Sequence, residues 1–162
     1  MRDSPDGAVG PGPTACCPVG TDTPSGAPAP DSTVVSQESG DATGSANELL
    51  AGSLMERMGI RFDLAAPDRL VATMPVAGNT QPFGLLHGGA SCLLAETVAS
   101  VGAGLHAAPL GRTAVGVDLN ATHHRTVAAG SVTATAEALS LGRTVACYEV
   151  VINDDLGRRV CT

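Results

Sequence analysis

The amino-acid sequence predicts an α+β fold, an antiparallel sheet of five or six strands against one long helix. Three observations carry this expectation. From Gly88 to about Ala107 no proline interrupts, and Leu94, Val98, Val101 and Leu105 recur at helical spacing. Beyond Pro109 and Gly111 the apolar period drops to two, with Val115, Val117, Leu119 and Ala121 alternating with Gly116, Asp118, Asn120 and Thr122. Gly130, Gly142 and the stretch 153–157 then divide the C-terminal third of the chain into segments of strand length. Strands gathered around a single helix make an α+β arrangement.

In chain order, residues 1–46 read as a tail. Seven of the eleven prolines lie there, with no Ile, Leu, Phe, Trp or Tyr. Such a stretch buries too little apolar surface to offset its chain entropy, so it is expected to be disordered. The folded domain is expected over 47–162. Asn47 stands as the N-cap of a helix over 48–58, with apolar residues at 50, 54, 55 and 58, and Gly59 ends it. Ile60–Leu64 and Arg69–Val76 read as strands joined through Pro67-Asp68, and 78–84 as a loop. In the long helix, Ala90, Ala95, Ala99, Gly102 and Ala103 allow a sheet to approach closely. Its glycines lower intrinsic helicity, so tertiary packing must hold it. Strands come next over 132–138 and 144–152, and Arg158–Thr162 starts a last one.

The net charge of −7 sits mostly in the tail, where six acids face Arg2 alone; from Asn47 onward ten acids face eight arginines. This argues against broad nucleic-acid binding. There is no run of 18 apolar residues and no basic N-terminus leading into an apolar stretch, so neither a membrane span nor a secretory signal is expected, and the cytoplasm is the expected location. Five cysteines, odd in number and without metal-ligand spacing, point to no disulfide framework and no metal site. His123 and His124, adjacent on a strand, face opposite sides and do not readily share an ion.

Glu96 is the one formally charged residue between Arg69 and Arg112. A carboxylate in so apolar a stretch is either satisfied by a partner, such as His87 or an arginine, or retained for chemistry. Gly88 opens the long helix, where its N–H lies at the positive end of the helix dipole. That position suits a carbonyl oxygen gaining negative charge, with His87 and Gln81 as further donors. Glu96 could serve as nucleophile or as the base that activates water, and Ser100, one turn on, would orient it. Eight residues of helix separate Gly88 from Glu96, roughly 12 Å along the axis. The two cannot meet on one carbonyl within a chain. A second copy running antiparallel would bring them together, so the reading requires a homodimer.

Thr73–Val76, the run Gln81-Pro82-Phe83-Gly84-Leu85-Leu86-His87-Gly88-Gly89-Ala90-Ser91, then Leu94-Ala95-Glu96-Thr97, together resemble the hotdog-fold acyl-CoA thioesterases. The branch most resembled holds the phenylacetate-pathway, 4-hydroxybenzoyl-CoA and 1,4-dihydroxy-2-naphthoyl-CoA thioesterases. Met58-Gly59-Ile60 and Asn120–Arg125 extend the likeness to nearly everything from residue 47 on. The resemblance implies hydrolysis of an aryl or hydroxyaryl acyl-CoA, in menaquinone-type or aromatic-degradation metabolism, by a dimer or dimer of dimers. It implies no metal or redox cofactor and no nucleic-acid or membrane partner. Glu96 becomes the catalytic carboxylate, Ser100 its hydroxyl neighbour, and the partner's Gln81, His87 and Gly88 N–H polarise the thioester carbonyl. Gly89, His123, Arg125, Arg143 and Thr144 become contacts to the CoA portion, arginine being suited to phosphates. A broad-range editing thioesterase acting on CoA or carrier-protein thioesters, and a non-catalytic acyl-CoA-binding protein, are the alternatives. Members of the family carry the last strand several residues past the position of Thr162, so the domain reads as cut short there, and the Pro/Gly-rich tail lies outside the family pattern.

Overall fold

The computed structural model describes residues 14–20 and 41–162. Its elements are β1 (Thr14–Gly20), α1 (Thr43–Leu49), α2 (Leu54–Arg57), β2 (Arg61–Ala65), β3 (Arg69–Pro75), α3 (Gly88–Ala107), β4 (Thr113–Ala114), β5 (Asp118–Leu119), β6 (Ser131–Leu141), β7 (Val145–Asp154) and β8 (Arg159–Cys161). The strands form one antiparallel sheet in the order β2-β3-β6-β7-β1-β4, with β5 also on β1 and β8 also on β7.

The sheet buries alternate residues as period two requires: Leu70, Ala72 and Met74 from β3, Val132, Ala134 and Ala136 from β6, and Ala146, Tyr148, Val150 and Ile152 from β7. All face α3. By length and composition that helix could cross a membrane, but it lies packed against β1, β3, β6 and β7. The buried stripe of α3 runs through Ser91, Leu94, Ala95, Val98, Ala99, Gly102 and Ala103. Val101 and Leu105, expected in the core stripe, are half-buried. The small side chains set this face because the sheet comes so close. A β-carbon on Gly102 would lie 2.6 Å from Leu70 Cδ1 and 2.9 Å from the Tyr148 ring. That ring is itself fixed by its hydroxyl, which donates to Pro67 O at 2.8 Å.

Three expectations need correction. The helix expected over 48–58 is two helices, broken at Gly52, whose φ is 72°. Ser53 restarts the chain as an N-cap, accepting Glu56 N–H at 3.4 Å while Glu56 Oε2 accepts Gly52 N–H at 2.7 Å, a variant of the capping box. Asn47 is inside α1 rather than capping it. Its amide pairs with both backbone groups of Phe62, at 2.8 and 3.0 Å, and so supplies a lateral partner to β2. Of the strand expected from Val115 only β5 forms; β4 ends at Ala114, and Val115-Gly116-Val117 separates the two.

The third correction concerns the tail. Residues 1–13 and 21–40 lie outside the described residues, but Thr14–Gly20 is the strand β1, paired with β7 from Thr14↔Glu149 to Pro18↔Val145. Cys16 stands opposite Cys147 and the two form a disulfide, where no disulfide was expected. One edge of β7 is thus shared lengthwise: Ile152 and Asn153 pair with β8, and the other half pairs with β1.

The close approach at Gly102 is testable against Gly104, beside which no atom lies within 4 Å. Gly104→Ala is expected to stabilise by about 0.5–1 kcal/mol through helix propensity. Gly102→Ala is expected to lose about 1–3 kcal/mol by overpacking, offsetting that gain and reversing the sign. Urea denaturation of the two variants measures both.

Candidate active site

The turn entering α3 is held by backbone bonds. Asn79 Nδ2 donates to the carbonyls of Met58 and Pro75, both at 2.8 Å, and Asn79 O accepts His87 N–H at 2.9 Å. Leu86 N–H donates to Val127 O at 2.7 Å, joining this turn to the stretch after β5. His87 thereby becomes the N-cap of α3, with Nδ1 accepting Gly89 N–H at 2.8 Å. A neutral imidazole accepting at Nδ1 carries its proton on Nε2, so the exposed ring presents a donor. Gly89 N–H is engaged by the cap. Gly88 N–H has no protein acceptor among the described residues.

A groove of about 560 Å³ opens beside this turn, and Gln81, Gly88, Ser91, His123 and Arg125 are among the residues that line it. Gln81 Oε1 accepts Phe83 N–H at 2.7 Å, which leaves the amide NH₂ as the free donor. His123 lies against the start of the helix: a β-carbon on Gly88 would come 2.9 Å from His123 Nε2. His124 goes elsewhere, its Nε2 being 2.9 Å from Thr162 Oγ1. No three His, Cys, Asp or Glu side chains among the described residues are placed to hold a metal ion.

Glu96 is half-buried, two turns farther along α3 and away from that groove. Its partner is neither His87 nor an arginine but Ser100, whose hydroxyl donates to Oε1 at 2.9 Å. The carboxylate also lies on the backbone of Gly116, where a β-carbon would overlap Oε1 and stand 3.1 Å from Cδ. Gly116 was not among the expected site residues. Its signal was visible, since a glycine inside an alternating apolar run marks a close approach.

The expected CoA contacts do not converge within one chain. His123 and Arg125 flank the helix start. Arg143 and Thr144 sit in the β6–β7 turn, where Arg112 Nη1 donates to Arg143 O at 2.7 Å and Val19 N–H to Thr144 O at 2.8 Å. That turn contacts His106 in the last turn of α3, through Gly142 O at 3.0 Å from Nε2. It is therefore one helix length, roughly 28 Å, from Gly88.

Gly116 does not adopt a positive φ, so Gly116→Ala tests space alone. The expected result is a folded protein whose catalytic rate falls at least about tenfold, because the carboxylate is moved from its place. Steady-state kinetics beside thermal unfolding would show it.

Comparison with known proteins bears on these features. The thioesterase superfamily model matches residues 83–161, a span that holds Gly88, Glu96, Ser100 and Gly116. The proofreading thioesterase EntH of Cronobacter turicensis is 48% identical over 117 residues, covering 72% of this chain and 85% of that protein. A thioesterase crystal structure from Haemophilus influenzae is 38% identical with a TM-score of 0.69, covering 74% of this chain and 83% of its own. Two Staphylococcus aureus structures, one of a thioesterase and one of a hypothetical protein that share a designation, are 33% and 34% identical, each with a TM-score of 0.61 over 67% of this chain and 90% of their own. One carries a Gln→Ala and the other a Glu→Ala substitution, fifteen positions apart, as Gln81 and Glu96 are here. The chain belongs to the thioesterase superfamily and is a thioester hydrolase of the hotdog fold.

Proposed function

We propose that this protein hydrolyses aryl or hydroxyaryl acyl-CoA thioesters at a site shared between two chains. The observation that carries this reading is the division of chemistry along α3. Donors cluster at its start, while the carboxylate lies roughly 12 Å farther along. The outer edge of β4 is unpaired among the described residues, and Val115 and Val117 beside it are 60% and 65% exposed. An unpaired edge with exposed valines suits a two-fold partner, which would set the helices antiparallel. Gln81, the Nε2 of His87 and the Gly88 N–H of one chain then hold the thioester carbonyl over Glu96 of the other.

In the reaction, Glu96 attacks the carbonyl carbon, or removes a proton from a water that does so. The carbonyl oxygen gains negative charge against the start of α3, where the donors and the helix dipole oppose it. Collapse breaks the carbon–sulfur bond and CoA leaves as the thiol, its sulfur taking the proton that Glu96 removed from water. Where Glu96 itself attacked, the sulfur takes a proton from solvent, and water then hydrolyses the mixed anhydride on Glu96. Either way the free acid is released. A carboxylate, a water and amide donors complete this chemistry, so no metal or redox cofactor is invoked. The CoA thioester pool places it in the cytoplasm, with Arg125, and Arg143 from the far end of a neighbouring α3, as phosphate contacts.

A second reading is favoured by the relatives named proofreading thioesterases. On this reading the enzyme has a broad acyl range and clears misloaded thioesters from CoA or a carrier protein. Free-thiol release from a panel of aryl and fatty acyl-CoAs separates the two: a preference for aryl groups supports the first, a flat profile the second.

Glu96→Ala is expected to abolish turnover while the chain still dimerises. Activity that survived it would remove Glu96 as the catalytic group. Glu96→Ala and Gln81→Ala chains, each inactive, should regain about a quarter of wild-type activity when refolded as a mixture, since half the dimers then hold one intact site. No recovery would mean that each site is built from one chain.

A further inference from the structure

β1 lies outside the span that the family model matches, yet it reaches the catalytic carboxylate. Cys17 is fully buried, with its Sγ 3.8 Å from Ser100 Oγ. Ser100 has a single hydroxyl proton, and that proton is engaged with Glu96 Oε1. The thiol is therefore the donor in the Cys17–Ser100 contact, and the proton order runs from Cys17 to Ser100 to Glu96. Burial pushes the Cys17 thiol up from its ordinary value, and with the smaller push from the charge of Glu96 it outweighs the lowering by the Ser100 contact, which keeps that donor proton in place.

The same strand acts on the carboxylate from its other edge. Cys16 O accepts Val117 N–H at 3.1 Å, Cys16 pairs with Asp118, and Val19 pairs with Ala114. These contacts bracket Gly116, whose backbone abuts Glu96. The ladder with β7, from Thr14↔Glu149 to Pro18↔Val145, holds the strand in this place.

We propose that β1 is a positioning strand of the active site and Cys17 a positioning residue, whose thiol orients Ser100 and through it the Glu96 carboxylate. The proposal rests on the reading of Glu96 as the catalytic group. It gives a segment foreign to the family pattern a part in the reaction. Cys17 touches no substrate and acts through Ser100 alone.

That dependence supplies the test. Cys17→Ala and Cys17→Val remove the thiol proton while changing the buried volume in opposite directions. Both are expected to lower kcat about three- to tenfold with KM unchanged, the effect of one lost hydrogen bond. In a Ser100→Ala background the same substitutions are expected to cause no further loss, because the group they orient is gone. A merely structural role for Cys17 would give equal losses in both backgrounds, or losses that track side-chain volume, and either result would overturn the proposal. So would full activity in both Cys17 variants. Glu96→Ala, assayed alongside, keeps the two layers apart: if it stays active, the underlying reading fails whatever Cys17 does. If it is inactive and the Cys17 variants are unaffected, the positioning role alone fails. The assay is release of free CoA from an aryl acyl-CoA by the full chain.

Discussion

The close contact between α3 and the sheet is the constraint on which the rest of the molecule depends. A hydrogen atom at Gly102, with alanines at 95, 99 and 103, lets β3 and β7 approach until Leu70 and the Tyr148 ring fill the space a side chain would take. A helix rich in glycine and alanine has little stability of its own, and this contact supplies it. Because the packing is tight along the helix, its two ends are held at a set distance. The separation between the donors at Gly88 and the carboxylate at Glu96 is therefore a property of the core. It cannot be closed by a loop movement. A second chain is the simplest way to bring the halves together.

Much of the fold was legible in the sequence, and for identifiable reasons. α3 runs over the expected residues because an uninterrupted apolar period and a glycine-bounded start are local signals. β3 and β7 alternate cleanly, and β6 does so over its first half, because one face meets the helix and the other does not. The pairing of Glu96 with Ser100 was legible too, since residues four apart on a helix share a face.

Most of the features that sequence alone did not reveal are non-local. β1 has the composition of a linker: Thr14, Pro18 and Gly20 say nothing of a sheet, and its place depends on an open edge of β7 more than a hundred residues away. The Cys16–Cys147 pair is invisible in spacing for the same reason, because register across strands decides which cysteines face each other. The 48–58 helix failed through a competing local rule. Gly52 with the Ser53 and Glu56 cap offered the chain a break more favourable than one continuous helix. Gly116 was read as the polar side of an alternating strand, whereas its lack of a side chain is what Glu96 requires.

The protomer leaves Glu96 half-buried, held by one hydroxyl and one stretch of backbone, with the donors at the start of α3 elsewhere. A carboxylate in contact with water is well solvated and a poor nucleophile, and each donor at Gly88 is likewise weakened by solvent. Apposition of two chains as proposed changes both at once. Covering the Val115–Val117 edge removes water from Glu96, and the same movement brings the partner's donors to the thioester. The reactive arrangement then exists only in the assembly, so an unassembled chain carries a carboxylate that cannot attack thioesters at random. On this view Ser100, Cys17 and Gly116 share one task. They hold the carboxylate in position before the partner arrives, so that binding energy at the interface is not consumed in ordering it.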